Sequence, residues 1–167
     1  NLRIGKNMAV ETKNISFFAG ETDLHGYLAW DTNTQGKRPA VLVFPEWWGL
    51  NNQIKNRTEQ VASLGYLAMG VDMYGKGETA DHPEKAGELM NTVLSNMDTL
   101  KIRLDNSYEA LKEQEMADSN QMGAIGYCFG GALVLNMARF GMDLKGVVSF
   151  HGSLDSKKKP LPSEVKA

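Results

Sequence analysis

Gly126-Tyr127-Cys128-Phe129-Gly130-Gly131 follows a short apolar run, residues 122–125, and precedes a stretch without helix breakers, residues 132–140. Strand, glycine turn, helix is the setting of a G-x-S-x-G nucleophile elbow, here with cysteine in the serine position. The spacing has a physical cause. A side chain lifted on a sharp strand-to-helix turn needs a strained backbone, and its neighbours must be small to allow it. Gly126 and Gly130 supply that room. The turn also sets Cys128 at a helix N-terminus, where free backbone N–H groups and the helix dipole favour negative charge. A thiol placed there ionises more easily, and the same amides are able to hold an oxyanion. The ordinary role of a lone cysteine is that of a small buried hydrophobe. The strand before Cys128 and the helix after it favour the elbow.

Working outward, residues 146–150 read as one more strand, after which the chain turns polar and proline-bearing. Upstream, residues 15–19 and 24–30 read as two strands joined by Gly20-Glu21-Thr22-Asp23, a hairpin with a short polar turn. Residues 1–14 are polar and read as loose, and Gly36-Lys37-Arg38-Pro39 breaks the chain. Ala40-Val41-Leu42-Val43-Phe44 is a continuous apolar run, expected of a strand covered on both faces in a parallel sheet. Residues 51–64 are helical with Gly65 at the end, and 66–71 form the next buried strand. A glycine-rich loop over 72–81 leads to Asp81-His82-Pro83, which starts a helix running to about residue 95. Asp98 is placed as the cap of another helix, ending near residue 115. The order β-β-β-α-β-α-α-β-α-β points to a single three-layer α/β domain over residues 1–167. Its sheet is mostly parallel, with the opening hairpin as an antiparallel edge.

Pro45-Glu46-Trp47-Trp48-Gly49-Leu50 leaves the central apolar strand at its C-terminal end, where open α/β sheets keep their chemistry. Glu46 is a candidate functional carboxylate there, and the two Trp rings are candidate walls of an apolar pocket. The plainer alternative makes Glu46 a helix N-terminal charge and the Trp rings core.

The bulk properties exclude several classes. The chain has 167 residues and a net charge of −2, with acids and bases interspersed. Lys157-Lys158-Lys159 lies beside Pro160 and Pro162 and reads as a solvated loop, so no nucleic-acid partner is expected. A single Cys excludes an internal disulfide framework and a cysteine zinc cluster. No apolar run approaches the ~20 residues of a membrane span. Cytoplasmic placement is favoured, with a periplasmic one the alternative if a leader has been removed, since the chain opens at Asn1.

The sequence resembles the dienelactone hydrolase family of α/β-hydrolases. Four stretches carry the likeness: Glu46-Trp47-Trp48-Gly49-Leu50, Asp72-Met73-Tyr74-Gly75-Lys76-Gly77, the Cys128 elbow, and Ser149-Phe150-His151-Gly152. They stand in the family's order and cover nearly the whole chain. The resemblance implies that Cys128 is the nucleophile and Glu46 the acid that holds the resting thiol. It implies that the backbone N–H groups of Trp47 and Phe129 form the oxyanion hole. Lys76 sits where some members carry an arginine for a substrate carboxylate. Trp48, Tyr74, Lys76, Tyr127 and His151 are the candidate pocket residues. No metal or cofactor is implied, and the expected partner is a small ester or lactone. Two departures matter: Pro45 replaces a histidine common in relatives, and lysine at 76 lacks the planar bidentate fork of arginine.

A triad on this fold runs nucleophile, acid, His along the chain, and nothing after Cys128 fills the last two places. His151 with Asp155 comes too early, His25 falls in the hairpin, and His82 sits at a helix start. The expectation is therefore an N-terminal portion of a longer hydrolase, lacking the C-terminal strands of the full fold and inactive or nearly so by itself. An open sheet edge would invite self-association. The rival expectation is a non-catalytic or redox-sensing protein that kept the fold and lost the triad.

Overall fold

The computed structural model describes residues 9–167. Strands β1 (Val10–Ala19) and β2 (Thr22–Asp31) form an antiparallel hairpin, paired from Val10↔Asp31 to Ala19↔Thr22. Its turn is only Gly20-Glu21, with Gly20 at φ 64°. The polar residues 10–14, read as loose from composition, are thus a strand. The ladder to β2 pairs the backbone groups that face it, whatever the side chains. Residues 1–8 of that opening stretch lie outside the described residues.

The remaining strands are β3 (Arg38–Phe44), β4 (Leu67–Val71), β5 (Ala117–Tyr127) and β6 (Gly146–Phe150). The helices are α1 (Asn52–Ala62), α2 (Pro83–Leu94), α3 (Met97–Lys112) and α4 (Phe129–Arg139). The sheet order is β1-β2-β4-β3-β5-β6, antiparallel as far as β4 and parallel from there to β6. Alternation along β3 defines the layers. Ala40, Leu42 and Phe44 pack into the main core with Leu100 and Leu104 of α3 and Leu133 and Met137 of α4. Val41 and Val43 pack with Ile54 and Val61 of α1 on the opposite face. That is the three-layer α/β arrangement expected from the element order. The chain leaves β3 toward β4 and returns on the other side as β5, so a topological switch lies between β3 and β5. In such sheets the crevice for ligands opens at the C-terminal ends of the strands flanking the switch. These ends carry Glu46 and Cys128.

Three local expectations are corrected. Arg38 and Pro39 belong to β3 instead of breaking the chain. The register slips between Arg38 and Ala40, which accommodates a residue with no N–H to donate. The Arg38 guanidinium is buried and donates to the carbonyls of Asp31, Thr34 and Gly36, closing the β2–β3 connection. The cap of α3 is Asn96, whose Oδ1 accepts from the N–H groups of Asp98 at 3.0 Å and Thr99 at 3.1 Å. Asp98 falls in the first turn. Either residue type caps well, so composition did not separate them. Finally, β5 begins at Ala117, well before the apolar run at 122. The edge strand β6 leaves Val148 48% and Phe150 43% exposed.

The cap assignment is open to measurement. Asn96→Ala is expected to destabilise the chain by about 1 kcal/mol, and Asp98→Ala by a few tenths, about the value of one acid in a first turn. Urea unfolding midpoints of the two variants check the order.

Candidate active site

Between β5 and α4 a single residue, Cys128, turns the chain, with φ 54° and ψ −113°. A non-glycine residue at positive φ is strained, typically by about 1–3 kcal/mol. Here the surroundings force it. A Cβ on Gly126 would collide with the carbonyl of Gly130, and one on Gly130 would collide with the carbonyl oxygens of Phe44 and Pro45. A Cβ on Gly131 would stand 2.6 Å from Ser149 Oγ and 2.9 Å from Gly152 Cα. The first turn of α4 therefore rests directly on the backbone leaving β3 and on the chain after β6. The Cys128 N–H donates to the Phe150 carbonyl at 2.9 Å, and its carbonyl accepts from Ala132 N–H at 3.2 Å. Its side chain is exposed, not packed in the core as a structural cysteine would be. No side chain caps α4, which leaves the Phe129 N–H without a hydrogen-bond acceptor among the described residues.

The second part of the site is the loop after β3. Pro45 is buried, while Glu46, Trp47 and Trp48 are half-buried. Gly49, at φ 88°, closes the turn by donating its N–H to the Glu46 carbonyl at 3.2 Å. The two Trp rings meet edge to face, centroids 5.2 Å apart. The Trp47 N–H, like that of Phe129, has no acceptor among the described residues. Glu46 lines a hollow of about 310 Å³ with Ile54, Arg57, Tyr127, Phe150 and His151. Tyr127, just before the Cys128 turn, and its cross-strand partner Phe150 stack there, centroids 4.9 Å apart. Glu46, Tyr127 and His151 are thus brought together next to the elbow.

The third part is the loop after β4, where the sequence reading missed two residues. Asp72 is fully buried. Its Oδ1 accepts from the N–H groups of Tyr74 and Gly75, both at 2.9 Å, and its Oδ2 from Gly77 at 2.8 Å and His25 at 3.2 Å. Arg103 of α3, also buried, donates through Nη1 to the carbonyls of Met73 at 2.6 Å and Tyr74 at 3.3 Å. Aspartate followed at +3 and +5 by glycine is a local turn signal, but the arginine comes from far along the chain and left none. Tyr74 is buried, its hydroxyl donating to the Trp47 carbonyl at 2.7 Å and its ring stacked on Phe129 at 5.9 Å. Burial pushes its phenol above the usual tyrosine range, and the charges of Cys128 and Asp72 push it further.

Two candidates lie apart. Lys76, at φ 54° and exposed, lines a different hollow with His25, Leu50 and Lys55. His151 borders the Glu46 hollow, whereas Asp155 borders another with Asn136 and Ser156. The pairing of His151 with Asp155 therefore does not form. His25 stands 3.7 Å from Asp23, and His82 2.6 Å from Asp81.

The model of the dienelactone hydrolase family matches residues 24–167. The chain belongs to the dienelactone hydrolase family. Its α/β-hydrolase fold is also that of a solved dienelactone hydrolase-like promiscuous phosphotriesterase from metagenomic libraries. That protein is 32% identical, with a TM-score of 0.86, over 93% of this chain and 64% of that one. A protein of Aquifex aeolicus named as a carboxymethylenebutenolidase is 34% identical over 74% of this chain and 54% of its own length. The Aquifex pyrophilus protein named usf is 32% identical over 83% of this chain and 60% of its own. This dienelactone hydrolase family chain thus spans little more than half the length of the curated relatives it matches.

The steric argument at the elbow gives a sharp contrast. Gly126→Ala is expected to destabilise by about 3 kcal/mol or more, because backbone must move. Gly146→Ala, whose Cβ would meet nothing within 4 Å, is expected to stay within about 0.5 kcal/mol of the parent. Equilibrium unfolding in urea distinguishes them.

Proposed function

We propose that this chain carries the nucleophile half of a hydrolase that opens lactones or cleaves activated carboxylic esters through Cys128. The Cys128 thiolate attacks the carbonyl carbon; a C–S bond forms as the carbonyl oxygen takes the negative charge. The Trp47 and Phe129 N–H groups receive that oxyanion. Its collapse breaks the C–O bond; the oxygen departs as an alkoxide or, when a dienelactone ring opens, stays tethered to the acyl group as an enolate, and takes up a proton. Water then attacks the thioester and gives up a proton to the base; the C–S bond breaks, the carboxylic acid leaves and the Cys128 thiolate is restored. Glu46 accepts the resting thiol's proton or hydrogen bond until substrate arrives.

The observation that carries this reading is the strained, exposed Cys128 at an uncapped helix start, with two unpartnered amides on the turns around it. The histidine base and its acid are assigned outside these residues. His25 and His82 stand beside Asp23 and Asp81, and His151 has no hydrogen-bonded acid among the described residues. Lys76 sits away from the Glu46 hollow, which favours a broad ester and lactone range over strict selection for a carboxylated lactone.

The same exposed sulfur, without an acid–histidine pair beside it, also supports a second reading as a redox-sensing thiol. Acylation separates the two. On mixing with p-nitrophenyl acetate, the chain is expected to release one equivalent of p-nitrophenolate and gain one acetyl group at Cys128 by mass. Further turnover is expected to be negligible, and Cys128→Ala to abolish the burst. Unacetylated Cys128, with ready trapping of a sulfenic acid after peroxide, would leave the sensor reading standing instead. Sustained turnover by this chain would refute the placement of the base outside it.

A further inference from the structure

We propose that Tyr74 is a positioning residue that joins the Trp47 loop and the Phe129 turn into one unit, fixing the two backbone N–H groups assigned to the oxyanion. The inference rests on the acyl-transfer reading of Cys128.

The two amides belong to different strands' exits, β3 and β5, which the sheet ladder pairs only as far as Phe44↔Gly126, short of both donors. Tyr74, from the exit of β4, touches both. Its hydroxyl donates to the carbonyl of Trp47 at 2.7 Å. Its ring lies 5.9 Å from that of Phe129, with 15° between the planes. Tyr74 is itself immobilised from below. Its N–H is held by buried Asp72 at 2.9 Å, and its carbonyl by buried Arg103 at 3.3 Å. The clamp therefore runs from Arg103 of α3 and, separately, from Asp72 through Tyr74 to both proposed donors. An oxyanion hole acts through preorganisation, so a small loss of register costs rate without costing binding.

The protonation state fits the task. Burial and the nearby Cys128 and Asp72 charges keep the phenol protonated into the alkaline range. The hydroxyl thus remains a donor to the Trp47 carbonyl in alkaline solution.

Tyr74→Phe removes the hydroxyl and keeps the ring on Phe129. Two reactions of Cys128 are followed in parallel at alkaline pH: acetylation by p-nitrophenyl acetate and alkylation by iodoacetamide. Both consume the thiolate, but only acetylation builds an oxyanion. The expected result is an acetylation rate constant about tenfold lower, the value of one hydrogen bond. The half-saturating ester concentration, the alkylation rate and its pH profile should be unchanged. Acetylation within twofold of the parent overturns the proposal. So does an equal fall in both reactions, which would place the effect on the thiol or the fold. A parent chain that is alkylated but not acetylated at Cys128 removes the acyl-transfer reading itself, and this proposal with it.

Discussion

The arrangement depends on atoms that are not there. Gly126, Gly130 and Gly131 lack the Cβ atoms that would strike the Gly130 carbonyl, the Phe44 and Pro45 carbonyls, and Ser149 with Gly152. Their absence lets α4 start against the sheet with backbone touching backbone. Two consequences follow together. The residue between β5 and α4 is driven to φ 54°, which aims Cys128 outward. The helix start also settles on the chain leaving β3, which brings the elbow to the Glu46 loop. One steric fact thus presents the sulfur and assembles its neighbourhood. The strain at Cys128 is sustained because packed glycine contacts on both sides overdetermine it.

Electrostatics organise the other half. Burying the carboxylate of Asp72 would be severely unfavourable for an isolated charge. Four backbone N–H groups and the proximity of buried Arg103 offset that penalty. Arg103 donates Nη1 to the carbonyls of Met73 and Tyr74, so cation and anion hold the same short loop, one through its carbonyls and the other through its N–H groups. The loop between β4 and α2 therefore behaves as an extension of the core at the functional edge. Lys76 and Gly77 continue that curvature with left-handed backbone at φ 54° and 68°. This bend carries the Lys76 side chain to the hairpin side, into the hollow with His25 and Lys55. The cation that the family resemblance aligns with a substrate-binding arginine thus lines a different hollow from Glu46.

Helix and strand identities were legible because each rests on a local rule: the apolar run at 40–44, Gly65 after α1, Pro83 at the start of α2, and glycine spacing around Cys128. Dienelactone hydrolase family membership was legible for the same reason, since its motifs are short and ordered. Misjudged boundaries, such as the polar start of β1 and the early start of β5, share one cause. Ladder hydrogen bonds with a neighbouring strand extend a strand past the residues whose side chains announce it.

By itself, the sequence determined where the chain must turn and which residue sits on each turn, because glycine, proline and apolar periodicity act over a few residues. Only the tertiary structure decided which turns face one another. It put Glu46, Tyr127 and His151 around one hollow, sent Lys76 to another, parted His151 from Asp155, and set Tyr74 between Trp47 and Phe129. These outcomes depend on strand order and on contacts between residues far apart in the chain, such as Arg103 with the carbonyls of Met73 and Tyr74. The energies of such contacts leave no periodic trace in the sequence.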